Sequence, residues 1–235
     1  METGFSAAED GFDLHFAGRL ILSHRGEAPV LAMARGNPAI AMVRGNFRIE
    51  DAPVDMVALR QWAMDDDAVI LSDDQGAAAR LRFVDSAVEV TLLREGFDRI
   101  HLHFHAQSGE AVWGGGEQMS YLALNGRAFP IWTSEPGVGR DKSTALTRLM
   151  DEQGMAGGDY WNTNYPQPTF LTSRWLAVHC AAESYSVLDF TDPARHRVEV
   201  WSAATRFELF AGDGPQDLVG TLSARFGRQP PLPDW

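Results

Sequence analysis

Cysteine, lysine and long apolar runs are scarce or missing in this 235-residue chain, and each absence removes a class of protein. The one cysteine, Cys180, cannot form an internal disulfide; between the apolar neighbours of AVHCAA it reads as a small core residue, and a reducing cytoplasm fits. No stretch approaches the roughly 20 apolar residues that a membrane-spanning helix requires. METGFSAAEDGFD at the start lacks the basic-then-apolar order of a secretion signal, so the expectation is a soluble, unexported protein. Of the 20 basic residues only Lys142 is a lysine, and the net charge is -12. A field of that sign repels nucleic acid and anionic membranes, so neither is an expected partner. There is also no Gly-Lys-Ser/Thr after a Gly-rich run and no Gly-x-Ser-x-Gly, which removes the phosphate loop and the serine-hydrolase elbow.

What the chain does have is alternation. Apolar and polar residues alternate in short bursts between turn formers, at residues 14–22, 39–50, 78–84, 87–93, 99–105, 174–180, 184–190 and 196–202. Arg44-Gly45-Asn46 and Asp73-Asp74-Gln75-Gly76 supply turn chemistry between neighbouring runs. The expected fold is all-β, with antiparallel hairpins packed as a sandwich; the length fits one large all-β domain or two small ones. Near the end, GDGPQDLVGTLSARFG predicts one amphipathic helix, with Pro215 at its first position, Leu218, Val219, Leu222 and Phe226 on one face, and Gly227 ending it. The final RQPPLPDW predicts a stiff linker, dividing the chain into a domain at 1–227 and a linker at 228–235.

Residues 113–168 depart from the alternation. WGGGEQ, FPIWTSEPGVGRDK and GMAGGDYWNTNYPQPT are rich in Gly, Pro, aromatics and charge, with a short helix possible over 143–150. So long an irregular stretch in a compact domain is usually functional or packs against another domain. Trp132, Tyr160, Trp161 and Tyr165 offer flat faces that suit sugar rings, or else pack the loop on itself. In the second of these stretches, Trp132 and Glu135 precede Arg140 and Lys142, placing an aromatic face, an acceptor and two cationic donors within a few residues. Arginine can grip a sulfonate or carboxylate through paired hydrogen bonds, so Arg140 is the better candidate for a directional contact; the alternative is that it pairs with Glu135 or Asp141 to hold the loop's shape.

Two further groups invite weighing. His101, His103 and His105 alternate with Ile100, Leu102 and Phe104, so a strand puts three imidazoles on one face. Two could bind a metal, but no further ligands are evident, and a polar or interface-facing sheet surface is the simpler expectation. A mutarotase-like reaction needs a His and a carboxylate facing each other across a sugar, and nothing in the sequence selects the pair. Asp189 and Asp192 in LDFTDP read as turn formers.

WGGGEQMSYLALNGRAFPIWTSEPGVGR, then GGDYWNTNYPQPTFLTSRWLAVHC, YSVLDFTDPARHRVEVW and FAGDGPQDLVGTLSARFGRQPPLPDW, resemble in that order the N-terminal region of glycoside hydrolase family 31, within it the sulfoquinovosidases, which are α-glucosidase relatives. The resemblance covers 113–235 by motif and the earlier strands by architecture. It implies a β-sandwich of galactose-mutarotase-like type, followed in the family by a (β/α)8 barrel whose two aspartates act as nucleophile and acid/base in a retaining mechanism. No residue here matches either aspartate. The expectation is a domain that is inactive alone and borders the sugar site of that barrel, with no catalytic residue, metal or cofactor of its own, and with Trp132, Glu135, Arg140 and Lys142 as candidate binding residues for an α-glycoside or sulfoquinovoside. A free-standing carbohydrate-binding or mutarotase-like module is the alternative.

Overall fold

Alternation along the chain turns into strand pairing almost everywhere in the computed structural model, which describes residues 3–43, 46–52, 55–154 and 156–231. In order come β1 (Thr3–Ala8), β2 (Gly11–Phe16), β3 (Arg19–Arg25), β4 (Leu31–Arg35), β5 (Ala39–Val43), β6 (Asn46–Glu50), β7 (Asp55–Ala58), β8 (Gln61–Asp65), β9 (Ala68–Asp73) and β10 (Gly76–Val84). Then follow β11 (Ala87–Leu92), β12 (Arg99–His105), β13 (Val112–Gly116), β14 (Ala128–Ile131), α1 (Ala145–Glu152), β15 (Pro166–Thr172), β16 (Leu176–Cys180), β17 (Ser186–Asp189), β18 (Arg195–Val200), β19 (Ala204–Ala211) and α2 (Pro215–Phe226). The strands pair antiparallel.

Two sheets make the sandwich. One runs β13-β15-β16-β19-β11-β10-β9-β8 and the other β14-β17-β18-β12-β4-β7. Their inner faces share one apolar cluster, to which β12 contributes Ile100, Leu102 and Phe104. The Phe104 ring meets Phe170 of β15 edge-on at 6.0 Å and Phe207 of β19 at 5.5 Å, tying the two layers across the core. A third sheet, β1-β2-β3, seals one end by packing Phe12 against Trp62 of β8 at 5.3 Å. The hairpin β5-β6 pairs only with itself. β13 and β14 each form an edge, one per sheet, and the irregular segment leaves from both.

Some details differ from expectation. The run 14–22 is not one strand: Ala17 (φ 49) and Gly18 (φ 72) both take the left-handed conformation, and the chain reverses between β2 and β3. Two such residues make the turn whose twist matches paired strands, and alanine conceals the signal. The Asp73–Gly76 turn joins β9 to β10, with the Asp73 side chain accepting from the Gln75 amide at 2.9 Å. The expected Arg44-Gly45 turn lies outside the described residues.

WGGGEQ is partly strand. Gly114 to Gly116 all have positive φ and bulge β13 against β15, and a Cβ on Gly114 would come within 2.9 Å of the Phe170 Cα. In α2, Pro215 is the first residue and Gly227 (φ 89) follows the last. Leu218 and Leu222 pack on Ala177 and Phe210, whereas Val219 is exposed because it sits about 100° around the helix from Leu218. Residues 228–231 form no helix or strand; the rest of the Pro-rich tail lies outside the described residues.

Candidate functional site

Glycines shape the loops that leave β14. Two arms of the segment zip together through Val138, whose amide donates to Ala156 O at 2.9 Å and whose carbonyl accepts from Gly158 N at 3.1 Å. A Cβ on Gly137 would lie 2.6 Å from Ala156 O, and one on Gly158 would lie 2.7 Å from Gly137 N, so this approach excludes side chains at both positions. Between the arms, Asp141 accepts from the Ser143 amide (2.9 Å) and hydroxyl (2.6 Å), which holds its carboxyl below the usual range. Thr144 then caps α1 by accepting from Thr147 N at 3.3 Å. The return arm is anchored by Asn162, which donates to Ser134 Oγ at 2.6 Å, and by the Ser134 amide, which donates to Thr163 O at 2.9 Å.

These loops and the β5-β6 hairpin enclose a cavity of about 440 Å3, within the range of small-molecule sites. Its aromatic lining is Phe47, Trp132, Trp161 and Tyr185; its charged lining is Arg48, Glu135, Lys142 and Asp151. Phe47 meets the Trp132 ring edge-on at 5.3 Å, and Tyr185 backs it at 5.8 Å. The Trp132 Nε1–H is buried without an acceptor among the described residues. Lys142 Nζ lies 2.7 Å from Asp151 Oδ2. Burial, with the nearby Glu199 and Asp51 charges, pushes the Tyr185 phenol up to about 12, so it stays neutral at any physiological pH.

Three of the four candidates read from the sequence, Trp132, Glu135 and Lys142, line this cavity. Arg140 does not; it is half-buried, with its backbone in the left-handed region (φ 50). Trp161 lines the cavity, but Tyr160 turns inward, its hydroxyl donating to Ala128 O at 2.7 Å and its ring against Phe129. Tyr165 is exposed and outside the lining. The reading of the sequence did not include Phe47, Arg48, Tyr185, Asp151 or Asn162. Phe47 belongs to an ordinary alternating run and Tyr185 precedes a strand; only tertiary approach brings them to Trp132.

Two buried or half-buried His–carboxylate pairs lie outside the cavity lining. His196 Nε2 lies 3.6 Å from Glu110 Oε1, and His101 Nδ1 lies 3.7 Å from Glu199 Oε2. Partners already this close and buried leave no room for a sugar ring between them, which is what mutarotase-like chemistry needs. The imidazole face of β12 is polar as expected, yet His101 is only 2% exposed. Burial drives both His101 and His103 down to about 4, helped by Arg197 and Arg99 at His101 and by Arg195 and Arg197 at His103, so both are neutral. No group of three or more His, Cys, Asp or Glu among the described residues could hold a metal ion. No helix among them is long and apolar enough to cross a membrane.

No family model matches the chain. It is 48% identical over 233 residues to a sulfoquinovosidase of Agrobacterium fabrum (strain C58) and 36% identical over 246 residues to one of Escherichia coli (strain K12). Each match takes in 98% of this chain and 35% of the relative, so the chain spans about a third of the length of the curated relatives it matches. A solved family 31 sulfoquinovosidase from E. rectale, in complex with the aza-sugar inhibitor IFGSQ, superposes with a TM-score of 0.85 at 34% identity, over 99% of this chain and 35% of that one.

Proposed function

We propose that this chain, which corresponds to the N-terminal portion of glycoside hydrolase family 31 sulfoquinovosidases, supports and borders the sugar site of a catalytic (β/α)8 barrel that acts on α-glycosides or sulfoquinovosides. The observation that carries this reading is the aromatic-lined, glycine-shaped cavity on a domain spanning only about a third of its relatives. In such a retaining enzyme two carboxyl groups flank the glycosidic bond, one attacking the anomeric carbon and the other protonating the leaving oxygen. The cavity's own carboxylates are poorly suited to that pairing, since Asp151 is tied to Lys142. This chain therefore shapes the site and leaves the chemistry to the barrel.

Trp132, Glu135 and Lys142 are the residues assigned to the substrate side. Arg140, outside the cavity, would reach a sulfonate only where another part of the enzyme completes the site. A division into the sandwich at 1–227 and a linker at 228–235, a mutarotase-like sandwich type and a cytoplasmic setting belong to the same reading; the last is supported by the single, buried cysteine.

Mixing purified chain with the remaining two-thirds of the Agrobacterium relative tests the proposal. The expected result is hydrolysis of a nitrophenyl α-sulfoquinovoside by the mixture and by neither part alone. Turnover by this chain alone, abolished by point changes within it, would overturn the reading.

A further inference from the structure

Among the described residues, the charges lining the cavity cancel. Arg48 and Lys142 face Glu135 and Asp151, and Lys142 is already closed on Asp151 at 2.7 Å. Arg140, the cation best suited to a sulfonate, is outside the lining, and the chain as a whole carries -12. An anionic ligand therefore finds no net cationic charge among the described lining residues and meets repulsion from the chain as a whole. The walls are of a different kind. Among the described residues four aromatic side chains line the cavity, which suits the C–H faces of a pyranose ring. The indole N–H of Trp132 is buried with no acceptor among the described residues, and a buried donor left unmatched is costly, so it favours a ligand that carries an oxygen there. The Asp151 carboxylate and Lys142 ammonium on the rim, though paired with each other, each keep further acceptor or donor positions for hydroxyls.

We infer that the cavity is a binding site for one uncharged pyranose ring. This rests on the proposed function, which places the cavity beside a sugar site, and deepens it by naming the chemistry that the cavity takes. The ring stacks on the aromatic walls, one of its oxygens accepts from Trp132 Nε1–H, and its hydroxyls donate to the rim carboxylates.

Ligand-observed NMR on the 235-residue chain, with methyl α-glucopyranoside and sulfoquinovose as probes, tests it. The expected result is saturable binding of the neutral glucoside in the millimolar range, with sulfoquinovose about ten-fold weaker at low ionic strength and the gap narrowing as salt is added. Trp132→Phe keeps a ring against Phe47 and Tyr185 but removes the donor, and weakens the glucoside about ten-fold at an unchanged Tm. Asp151→Asn leaves Lys142 without its counter-charge and tightens sulfoquinovose several-fold relative to the glucoside. Absence of saturable binding by the folded chain, tighter binding of sulfoquinovose than of the glucoside, or indifference to both substitutions would each overturn the inference. Hydrolysis by the mixed parts without sugar binding by this chain leaves the proposed function standing and removes the ring site; binding without reconstituted hydrolysis does the reverse.

Discussion

The Lys142 ammonium lies 2.7 Å from the Asp151 carboxylate, so the only lysine of the chain joins the loop entering α1 to the last turn of that helix. Both side chains keep substantial solvent access, which limits what the pair contributes. A double-mutant cycle of Lys142→Met and Asp151→Asn, read by urea denaturation, should give a coupling of roughly 0.2–1 kcal/mol that falls as salt rises. A larger, salt-independent coupling would show that the loop excludes water from the pair.

Glu110 is the opposite case. Its carboxyl is almost wholly buried, 2.9 Å from Arg174 Nε, and accepts from the Gln107 amide at 2.7 Å. Burial opposes its ionisation, yet His196, the Gln107 amide and the Arg174 charge outweigh burial and hold it down at about 2, against 4.5 when free. The stabilisation is complete above pH 4.5 and is lost as pH falls toward 2. Glu110→Ala should cost roughly 3–5 kcal/mol at pH 7, because it strands the Arg174 charge, and adding Arg174→Met should recover much of that. Chemical denaturation of the parent chain and the two variants checks the ordering.

His101 and His103 act in a higher pH window. Both are held neutral down to about 4, while the unfolded chain protonates near 6.5. Their contribution is therefore full above pH 6.5 and erodes as pH falls toward 4, at up to about 1.4 kcal/mol per pH unit for each. His101→Leu should flatten the stability profile between pH 6.5 and 5 by nearly one proton's slope. An unchanged slope would mean that the imidazole is protonated in the folded state.

Adjacent residues in the loop give separable outcomes. Gly139 has φ +89 and faces Thr147, the buried residue of α1, so Gly139→Ala should loosen the loop against the helix, raise amide exchange across 132–144 and weaken glucoside binding. Arg140→Lys, outside the cavity, should leave glucoside binding by this chain unchanged. In the reconstituted enzyme it should raise KM for sulfoquinovosides with little change for neutral α-glucosides. Equal losses on both substrates with a lower Tm would assign Arg140 to holding the loop's shape.

The amino-acid sequence alone determined the strand-rich fold and the sites of most turns, because period-2 alternation and Gly/Asp punctuation are local properties read within a few residues. It also determined that 113–168 is unusual, and it singled out Trp132, Glu135, Arg140 and Lys142, since aromatic, acidic and basic residues crowded between glycines stand out in any context. It hid the turn at Ala17-Gly18, where alanine masks a left-handed position. Tertiary structure alone decided which aromatics face the cavity: Tyr160 and Trp161 are neighbours in sequence, yet one hydroxyl is bonded to Ala128 O and the other ring lines the wall. It alone brought Phe47 and Tyr185 to Trp132, closed Lys142 onto Asp151 and left Arg140 outside. The physical reason is that a site is made by approach between distant segments, and the free energy of that approach resides in sheet pairing and core packing, which no local pattern encodes.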